Sequence, residues 1–150
     1  MKFATINDLD KIKKIFLKYD NIFPYIKRYY AAKLEDPIKR NQVIFQDNVV
    51  IIYRIYKVNT RFHGVKRHCG DCHISEIVTK MPGDGNAGRV LKKFLIIYRD
   101  KVIWTEAMAK NKRSIRFFEK FGFNLTGQKV VWGKKTKGVI LIKKPDRSLI

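Results

Sequence analysis

A glycine-rich turn between a strand and a helix is the feature of this sequence that most constrains its fold. The run Cys72–Thr79 predicts a strand, and the stretch Met81–Tyr98 then carries Gly83, Gly85 and Gly88 ahead of apolar residues at helical spacing. Such a turn exposes backbone N–H groups at the positive end of a helix dipole, where phosphate groups bind. A turn that only makes a tight connection has the same pattern, so at this point the phosphate site is a hypothesis.

Length and composition indicate one globular domain. The chain has 150 residues, of which 45% are hydrophobic, so it is long enough for a buried core and too apolar for a disordered chain. No apolar run reaches the ~20 residues of a membrane-spanning helix, and the first residues do not follow a signal-peptide pattern. Cys69 and Cys72 are the two cysteines of the sequence, and a single short-range pair is a poor disulfide framework, which fits a reducing cytoplasm. We therefore expect a single cytoplasmic domain over residues 1–150, with no membrane association.

Net charge is the strongest compositional signal. The 33 lysines and arginines, against 13 acidic residues, give a formal charge of +20. A field of that sign attracts polyanions, so nucleic acid is the leading candidate partner. Lysines that only solvate the surface are the alternative. An anionic membrane is less well supported, because no predicted helix joins a basic face to a strongly apolar one.

Hydrophobic periodicity and turn residues predict the remaining elements. Before the glycine-rich turn come, in order, a strand (Lys2–Ile6), a helix capped by Asn7 or Asp8, a helix (Tyr25–Leu34) bounded by Pro24 and Pro37, a hairpin (Gln42–Gln46 and Val49–Val58) around Asp47-Asn48, and a basic loop (Arg61–His73). After the turn come a strand (Lys101–Ala109), a helix (Arg113–Phe121) ended by Gly122, and a hairpin (Phe123–Trp132 and Gly138–Lys143). The order βααββ-β-α-β-α-ββ predicts an α/β (α+β) fold, with a mixed, mostly antiparallel central sheet flanked by helices.

Two segments carry a resemblance to a known family. The segment NKRSIRFFEKFGF, Asn111–Phe123, resembles the pattern Asn-x-x-Ala-x-x-Phe-Tyr-x-x-x-Gly-Phe of the GNAT (Gcn5-related N-acetyltransferase) superfamily. The matching residues are Asn111, Phe117, Gly122 and Phe123, and the substituted ones are Ser114 and Phe118. The turn PGDGNA meets the family's Arg/Gln-x-x-Gly-x-Gly/Ala motif in part, since Gly85 and Ala87 match and Pro82 does not. The predicted element order is also similar to that of a GNAT domain.

The resemblance implies that acetyl-CoA is the cofactor. The residues it assigns to cofactor binding are Ile77, Val78, Thr79, Gly83, Asp84, Gly85, Asn86, Ala87, Gly88, Arg89, Asn111, Ser114, Phe117 and Phe118. In the family, the strand edge that holds the pantetheine arm arises because two central strands splay apart. Read from the residues alone, Asn111 is a helix cap, and the aromatic residues of the helix that follows it are a core face.

The catalytic groups are less well defined by the resemblance. In many GNAT enzymes a tyrosine protonates the leaving thiolate, and here that position is Phe118. For the base that accepts the amine proton, Glu76 on the predicted strand is the first candidate and His73 the second. The alternatives are a surface ion pair for Glu76 and a polar residue at a loop edge for His73.

The histidines and cysteines between His63 and His73 invite a zinc interpretation. Cys69 and Cys72 have the Cys-x-x-Cys ligand spacing, but a complete site needs four converging ligands, and no second Cys-x-x-Cys exists. We therefore predict no metal, and interpret the segment as a basic loop on the acceptor side.

Basic residues interleaved with aromatic ones suggest an acceptor surface. The candidate substrate-binding residues are Lys27, Arg28, Tyr29, Arg61, Lys66, Arg67, Trp132, Lys134 and Lys135. The chain also resembles small GNAT proteins of bacteriophages, including relatives of the Mom type that modify DNA bases. The resulting hypothesis is an acetyl-CoA-dependent N-acetyltransferase acting on nucleic acid. A protein or small-amine acetyltransferase and a non-catalytic nucleic-acid-binding module are the alternatives.

Overall fold

The computed structural model describes residues 1–19 and 32–146, and the elements are given for these residues. The helices are α1 (Leu9–Leu17), α2 (Glu35–Lys39), α3 (Asn86–Ile97) and α4 (Lys112–Lys120), with a short 3-10 turn (Ile6–Asp8) before α1. The strands are β1 (Val43–Gln46), β2 (Val49–Ile55), β3 (Thr60–Phe62), β4 (Val65–Arg67), β5 (Cys72–Thr79), β6 (Ile103–Met108), β7 (Asn124–Trp132) and β8 (Thr136–Lys143). None of these helices has the length and apolar character that crossing a bilayer requires.

The strands form two sheets. One has six strands in the order β1-β2-β5-β6-β8-β7, and the other is the two-stranded β3–β4 hairpin. Strands β5 and β6 pair in parallel, whereas the pairs β1–β2, β6–β8 and β7–β8 are antiparallel. The predicted α/β class with a mixed, mostly antiparallel sheet is therefore confirmed.

The chain divides into two compact units, Met1–Tyr53 with Glu76–Phe94 and Arg54–Ser75 with Leu95–Ile150. In the first unit, the buried face of α1 packs into a core with residues of α2, β1 and β2. Helix α3 is fixed there by Phe94, whose ring meets Tyr53 edge-on at 5.0 Å between centroids. In the second unit, a cluster of Tyr56, Trp104, Val130 and Ile140 forms an apolar centre. The expectation of a single domain stays a prediction.

The first hairpin forms where the sequence predicts it. Asp47 and Asn48 have φ angles of 51° and 59°, and Gln46 pairs with Val49 across the turn. Two consecutive residues with positive φ are typical of a type I′ turn, whose twist matches that of the flanking strands. The Asp-Asn pair thus sets the register of β1 and β2.

The prediction of a continuous basic loop over Arg61–His73 is wrong. This segment contains most of the β3–β4 hairpin, which turns at His63 and Gly64 with φ angles of 47° and 81°. Strands of three residues are too short for a readable alternation of polar and apolar side chains. Their cations therefore look like loop residues in the sequence.

Pro37 lies in the first turn of α2, where a missing N–H leaves no helical hydrogen bond unmade. Two boundaries differ from the predictions. The first strand is reduced to one bridge, Phe3 with Ile44, because the chain turns at Thr5, whose N–H donates to Asp8 Oδ2 at 2.9 Å. Gly88 lies inside α3 and not in the loop before it. The helix predicted over Tyr25–Leu34 lies almost wholly outside the described residues.

The β7–β8 hairpin packs closely at Gly138. A Cβ atom at this position would lie 2.4 Å from Trp132 Cζ3 and 2.7 Å from Val130 Cγ2. Gly138 pairs directly with Val130, and Trp132 is half-buried beside the apolar centre of the second unit. The glycine therefore makes room for the indole ring.

Replacing Gly138 by alanine should destabilise the protein by about 1–3 kcal/mol, because overpacking displaces the Trp132 ring. Chemical denaturation followed by tryptophan fluorescence measures this change. Lys137→Ala, on the exposed neighbour, is the matched control and should leave the midpoint nearly unchanged. Equal midpoints for G138A and K137A would contradict the close packing.

Candidate functional site

The glycine-rich loop of the first unit leads directly into the N-terminus of α3. Gly83 and Gly85 have φ angles of 89° and 82°, a backbone conformation that residues other than glycine rarely adopt. A Cβ at Gly85 would lie 3.4 Å from Arg89 Nη1, so the guanidinium sits next to the loop. The N–H groups of Ala87 and Gly88, in the first helical turn, have no acceptor within the helix. A positive side chain, open N–H groups and a helix N-terminus together fit a phosphate-bearing group.

One acidic residue in this loop opposes such a group. Asp84 Oδ1 accepts the Asn86 N–H at 2.9 Å, and Oδ2 accepts Asn86 Nδ2 at 3.0 Å. Asn86 Nδ2 also donates to the Asp47 carbonyl at 3.3 Å. The carboxylate thus caps the first N–H of α3, and its charge repels a pyrophosphate. The loop fits the cofactor with one unfavourable charge.

The β5 strand leaves its parallel ladder early. The ladder with β6 runs from Cys72↔Ile103 to Ile74↔Thr105, and Thr105 Oγ1 donates to the Ile74 carbonyl at 3.0 Å. The rest of β5, to Thr79, lies beyond this ladder. In the first unit, the Thr79 carbonyl accepts from Tyr19 Oη at 2.5 Å. That Ile77–Thr79 bind a pantetheine arm stays a prediction.

A buried charge cluster lies in the second unit, on β4, β5 and β6. Glu106 Oε1 is 3.1 Å from Arg67 Nη2, and Glu106 Oε2 is 2.7 Å from His73 Nε2. The exposed fractions of the three side chains are 6% for Glu106, 0% for Arg67 and 8% for His73. One carboxylate therefore binds two basic groups away from solvent.

Aromatic rings enclose the Arg67 guanidinium. Its carbon lies 4.4 Å from the Phe62 ring centroid and 4.8 Å from that of Trp104. Arg67 Nη1 donates to Tyr56 Oη at 3.0 Å, and the Tyr56 ring stacks on His73 at 6.2 Å between centroids. Such rings partly replace the water that a buried cation has lost.

This environment keeps Glu106 ionised. Burial would raise the pKa of Glu106, but the hydrogen bond and charge of His73, together with Arg67, outweigh burial and lower the pKa below its ordinary value. With Nε2 donating to an ionised carboxylate, Nδ1 is the His73 atom left to accept a proton. The cluster therefore contains an imidazole ring oriented by a carboxylate through Nε2.

The cluster corrects two interpretations and adds one residue. His73 is not a loop-edge residue but a buried one, and Arg67 is too deeply buried to contact an acceptor directly. Glu106 was missed, although it is the one acidic residue in the apolar strand Ile103–Met108 and shares a face with Trp104. An isolated carboxylate at a core-facing strand position was the available signal. Glu76 is half-buried on β5, and its role as a base stays a prediction.

In the segment from Asn111 to Phe123, the structure has the helix cap and the aromatic core face that the residues predict. Asn111 Oδ1 accepts the Ser114 N–H at 3.1 Å, which confirms the helix cap. Phe118 is buried. Its ring centroid lies 5.2 Å from that of Phe123 and 5.5 Å from that of Phe117, so it belongs to the core face. Cofactor binding by these residues stays a prediction.

The two cysteines have different environments. Cys69 is exposed, whereas Cys72 is buried, and burial raises the pKa of the Cys72 thiol to about 12. A thiol that remains protonated at neutral pH is a poor metal ligand. Within residues 1–19 and 32–146, no three His, Cys, Asp or Glu side chains converge as a metal site would require.

The other proposed substrate residues are mostly exposed. Arg61 and Lys66 lie on the β3–β4 hairpin, and Lys134 and Lys135 lie in the β7–β8 turn. Trp132 is half-buried against the apolar centre of the second unit. The predicted residues Lys27, Arg28 and Tyr29 lie outside the described residues.

The lowered pKa of Glu106 predicts a stability loss in acid. The stabilisation is fully present above the ordinary glutamate pKa of 4.5 and disappears as the pH falls through the lower, folded-state value. Urea denaturation between pH 7 and pH 3 should show this decline. E106Q should cost about 3–5 kcal/mol at pH 7, because it leaves Arg67 buried without its counter-charge, and should flatten the decline. E119Q, at an exposed position on α4, is the control; a decline of equal slope in E106Q would contradict the assignment.

Comparison with solved structures identifies the fold. No protein-family profile matches the sequence, and no curated protein matches it. Among solved structures, a GNAT-family acetyltransferase from Bacillus cereus has a TM-score of 0.69 at 21% identity, over 97% of this chain and 96% of that one. Ard1 from Thermoplasma volcanium has a TM-score of 0.71 at 13% identity, over 98% and 97%. Arabidopsis thaliana Naa50, solved with the bisubstrate analogue CoA-Ac-MVNAL, has a TM-score of 0.64 at 19% identity, over 95% and 96%. The chain therefore has the fold of the GNAT acetyltransferases.

Proposed function

We propose that this protein is an acyl-CoA-dependent N-acyltransferase that uses acetyl-CoA. The observation that carries the proposal is the glycine loop at the N-terminus of α3, with open N–H groups and Arg89 beside it, in a chain of this fold. Phosphate groups bind such helix ends through N–H donors and the helix dipole. The bisubstrate analogue of Naa50, which contains CoA, supports the same class of donor.

Specific residues would hold the cofactor. The N–H groups of Ala87 and Gly88 would bind the pyrophosphate, and Arg89 would add charge. The backbone of Ile77–Thr79 would bind the pantetheine amides, and Asn111 the pantetheine arm. Bound acetyl-CoA supplies the acyl group as an activated thioester.

Acyl transfer requires a base for the acceptor amine. The amine nitrogen forms a bond to the acyl carbon, the carbon–sulfur bond breaks, and the amine loses a proton. His73 Nδ1 would take that proton, while Glu106 holds the ring through Nε2 and stabilises the charged imidazolium. Glu76 is the alternative base. Phe118 has no proton to give, so the thiolate would leave without acid assistance from this residue.

The proposed acceptor is nucleic acid. The formal charge is +20, and exposed cations lie on the β3–β4 hairpin and in the β7–β8 turn. These are Arg61, Lys66, Lys134, Lys135 and Lys137. The charge attracts DNA and RNA alike, and we put DNA modification first because of the resemblance to Mom-type proteins. A peptide amine is the second candidate, because the Naa50 analogue carries the peptide MVNAL.

Thermal unfolding with increasing acetyl-CoA tests the donor site. Binding to the folded state alone should add about 2.7 kcal/mol of stability at a hundredfold excess over Kd. D84N should bind acetyl-CoA about two- to fivefold more tightly, because it removes a charge at the helix N-terminus and keeps the capping oxygen. D100N, at an exposed position after α3, is the control. The absence of any shift with acetyl-CoA or CoA would overturn the donor proposal.

Salt-dependent binding and radiolabel transfer test the acceptor. The paired change K134A/K135A should weaken duplex binding and reduce the slope of log K against log salt by about 1.8, since each phosphate contact adds about 0.9. K11A/K14A, on exposed positions of α1, is the matched control. Acetyl label that transfers to a peptide and never to nucleic acid would favour the second candidate.

A further inference from the structure

The β3–β4 hairpin covers the buried charge cluster of the second unit. Its ladder of three residue pairs, Thr60↔Arg67 to Phe62↔Val65, is a sheet of its own. Phe62 and Val65 pack, half-buried, against the apolar cluster that contains Tyr56 and Trp104. Side chains, and not strand pairing with the six-stranded sheet, therefore hold the hairpin in place.

Two hairpin side chains seal the His73–Glu106 pair. The Phe62 ring centroid is 5.5 Å from that of His73, and Arg67 binds the Glu106 carboxylate at 3.1 Å. As a result, the side chains of His73 and Glu106 are 8% and 6% exposed. A base that accepts a proton from an incoming amine must be reachable, so this closed arrangement differs from the reactive one.

The closed arrangement also leaves polar atoms unpaired. Arg67 Nε and His73 Nδ1 are buried and have no hydrogen-bond partner among the described residues. Buried polar atoms without partners cost free energy, and water or an acceptor group would remove that cost. Both atoms belong to the cluster under the hairpin.

Hydrogen bonds hold the base of the hairpin, whereas side-chain packing of Phe62 and Val65 holds the end near the tip. At the base, the Gly70 N–H donates to the Tyr56 carbonyl at 2.8 Å, and the Cys69 N–H donates to Asn59 Oδ1 at 2.9 Å. At the tip, His63 and Gly64 form an exposed turn. Rotation about this base would lift Phe62 and Arg67 together without breaking the β6–β8 ladder.

We propose that the β3–β4 hairpin is a strap over the His73–Glu106 pair, latched by Arg67, which lifts to admit the acceptor amine. The admission of an acceptor rests on the proposed function. The lifting is a property of the hairpin itself, and it is measurable on the full chain without acyl-CoA or acceptor.

Carbethoxylation of histidine, followed by mass spectrometry, reports the lifting. The three histidines serve as internal references, because His63 and His68 are exposed and His73 is buried. In the wild type, His73 should react more slowly than the other two but faster than global unfolding allows. Arg67→Met should accelerate the reaction of His73 at least tenfold, because the latch is lost. Arg61→Met, at an exposed position on the same hairpin, should leave it unchanged.

Amide hydrogen exchange on the wild type keeps the proposal falsifiable if R67M folds poorly. Amides of the Thr60–Arg67 ladder should exchange faster than those of the β6–β8 ladder, through a local opening. Exchange of both ladders at one common rate, or reaction of His73 only at the rate of global unfolding, would overturn the strap. Neither result depends on donor binding, so a failed acetyl-CoA titration and a failed strap are separate findings.

Discussion

A single carboxylate between two basic groups organises the second unit. Among the described residues, Glu106 is the acidic side chain in contact with both the Arg67 guanidinium and His73, and removing it would leave a buried cation without that partner, which is strongly unfavourable. The groups around Arg67 also compensate for the water that the buried guanidinium has lost. The rings of Phe62, Tyr56 and Trp104 take the place of water around the guanidinium, and the Tyr56 hydroxyl accepts a hydrogen bond from Arg67 Nη1.

The cost of burying charges also indicates that this cluster has a chemical role and not only a structural one. An ion pair buried only for stability gains little over apolar packing of the same volume, so its retention usually needs another reason. Here the carboxylate orients a histidine whose second nitrogen has no hydrogen-bond partner among the described residues. Orientation of an imidazole by a carboxylate is the arrangement that makes histidine an effective base. The hairpin that completes the cluster is also the part that hides it.

Local patterns in the sequence predicted the elements that local physics determines. The type I′ turn at Asp47-Asn48, the cap at Asn111 and the helix end at Gly122 each depend on residues within four positions, so they were readable. Arg67 and Glu106 are 39 residues apart, and no periodic pattern in the sequence predicts that they are in contact. Arg67 is therefore predicted from the sequence as one surface cation among 33 basic residues, and nothing near Glu106 in the sequence indicates its partners.

The contact between the first hairpin and the glycine loop has a consequence for how this protein tolerates change. The Asp47 carbonyl, in the β1–β2 turn, accepts Asn86 Nδ2, and Asn86 is the first residue of α3. Exposed hairpin turns are ordinarily the places where insertions, tags and new chain ends are accepted. In this protein, lengthening that turn would remove a support from the helix end that is proposed to carry the cofactor phosphates.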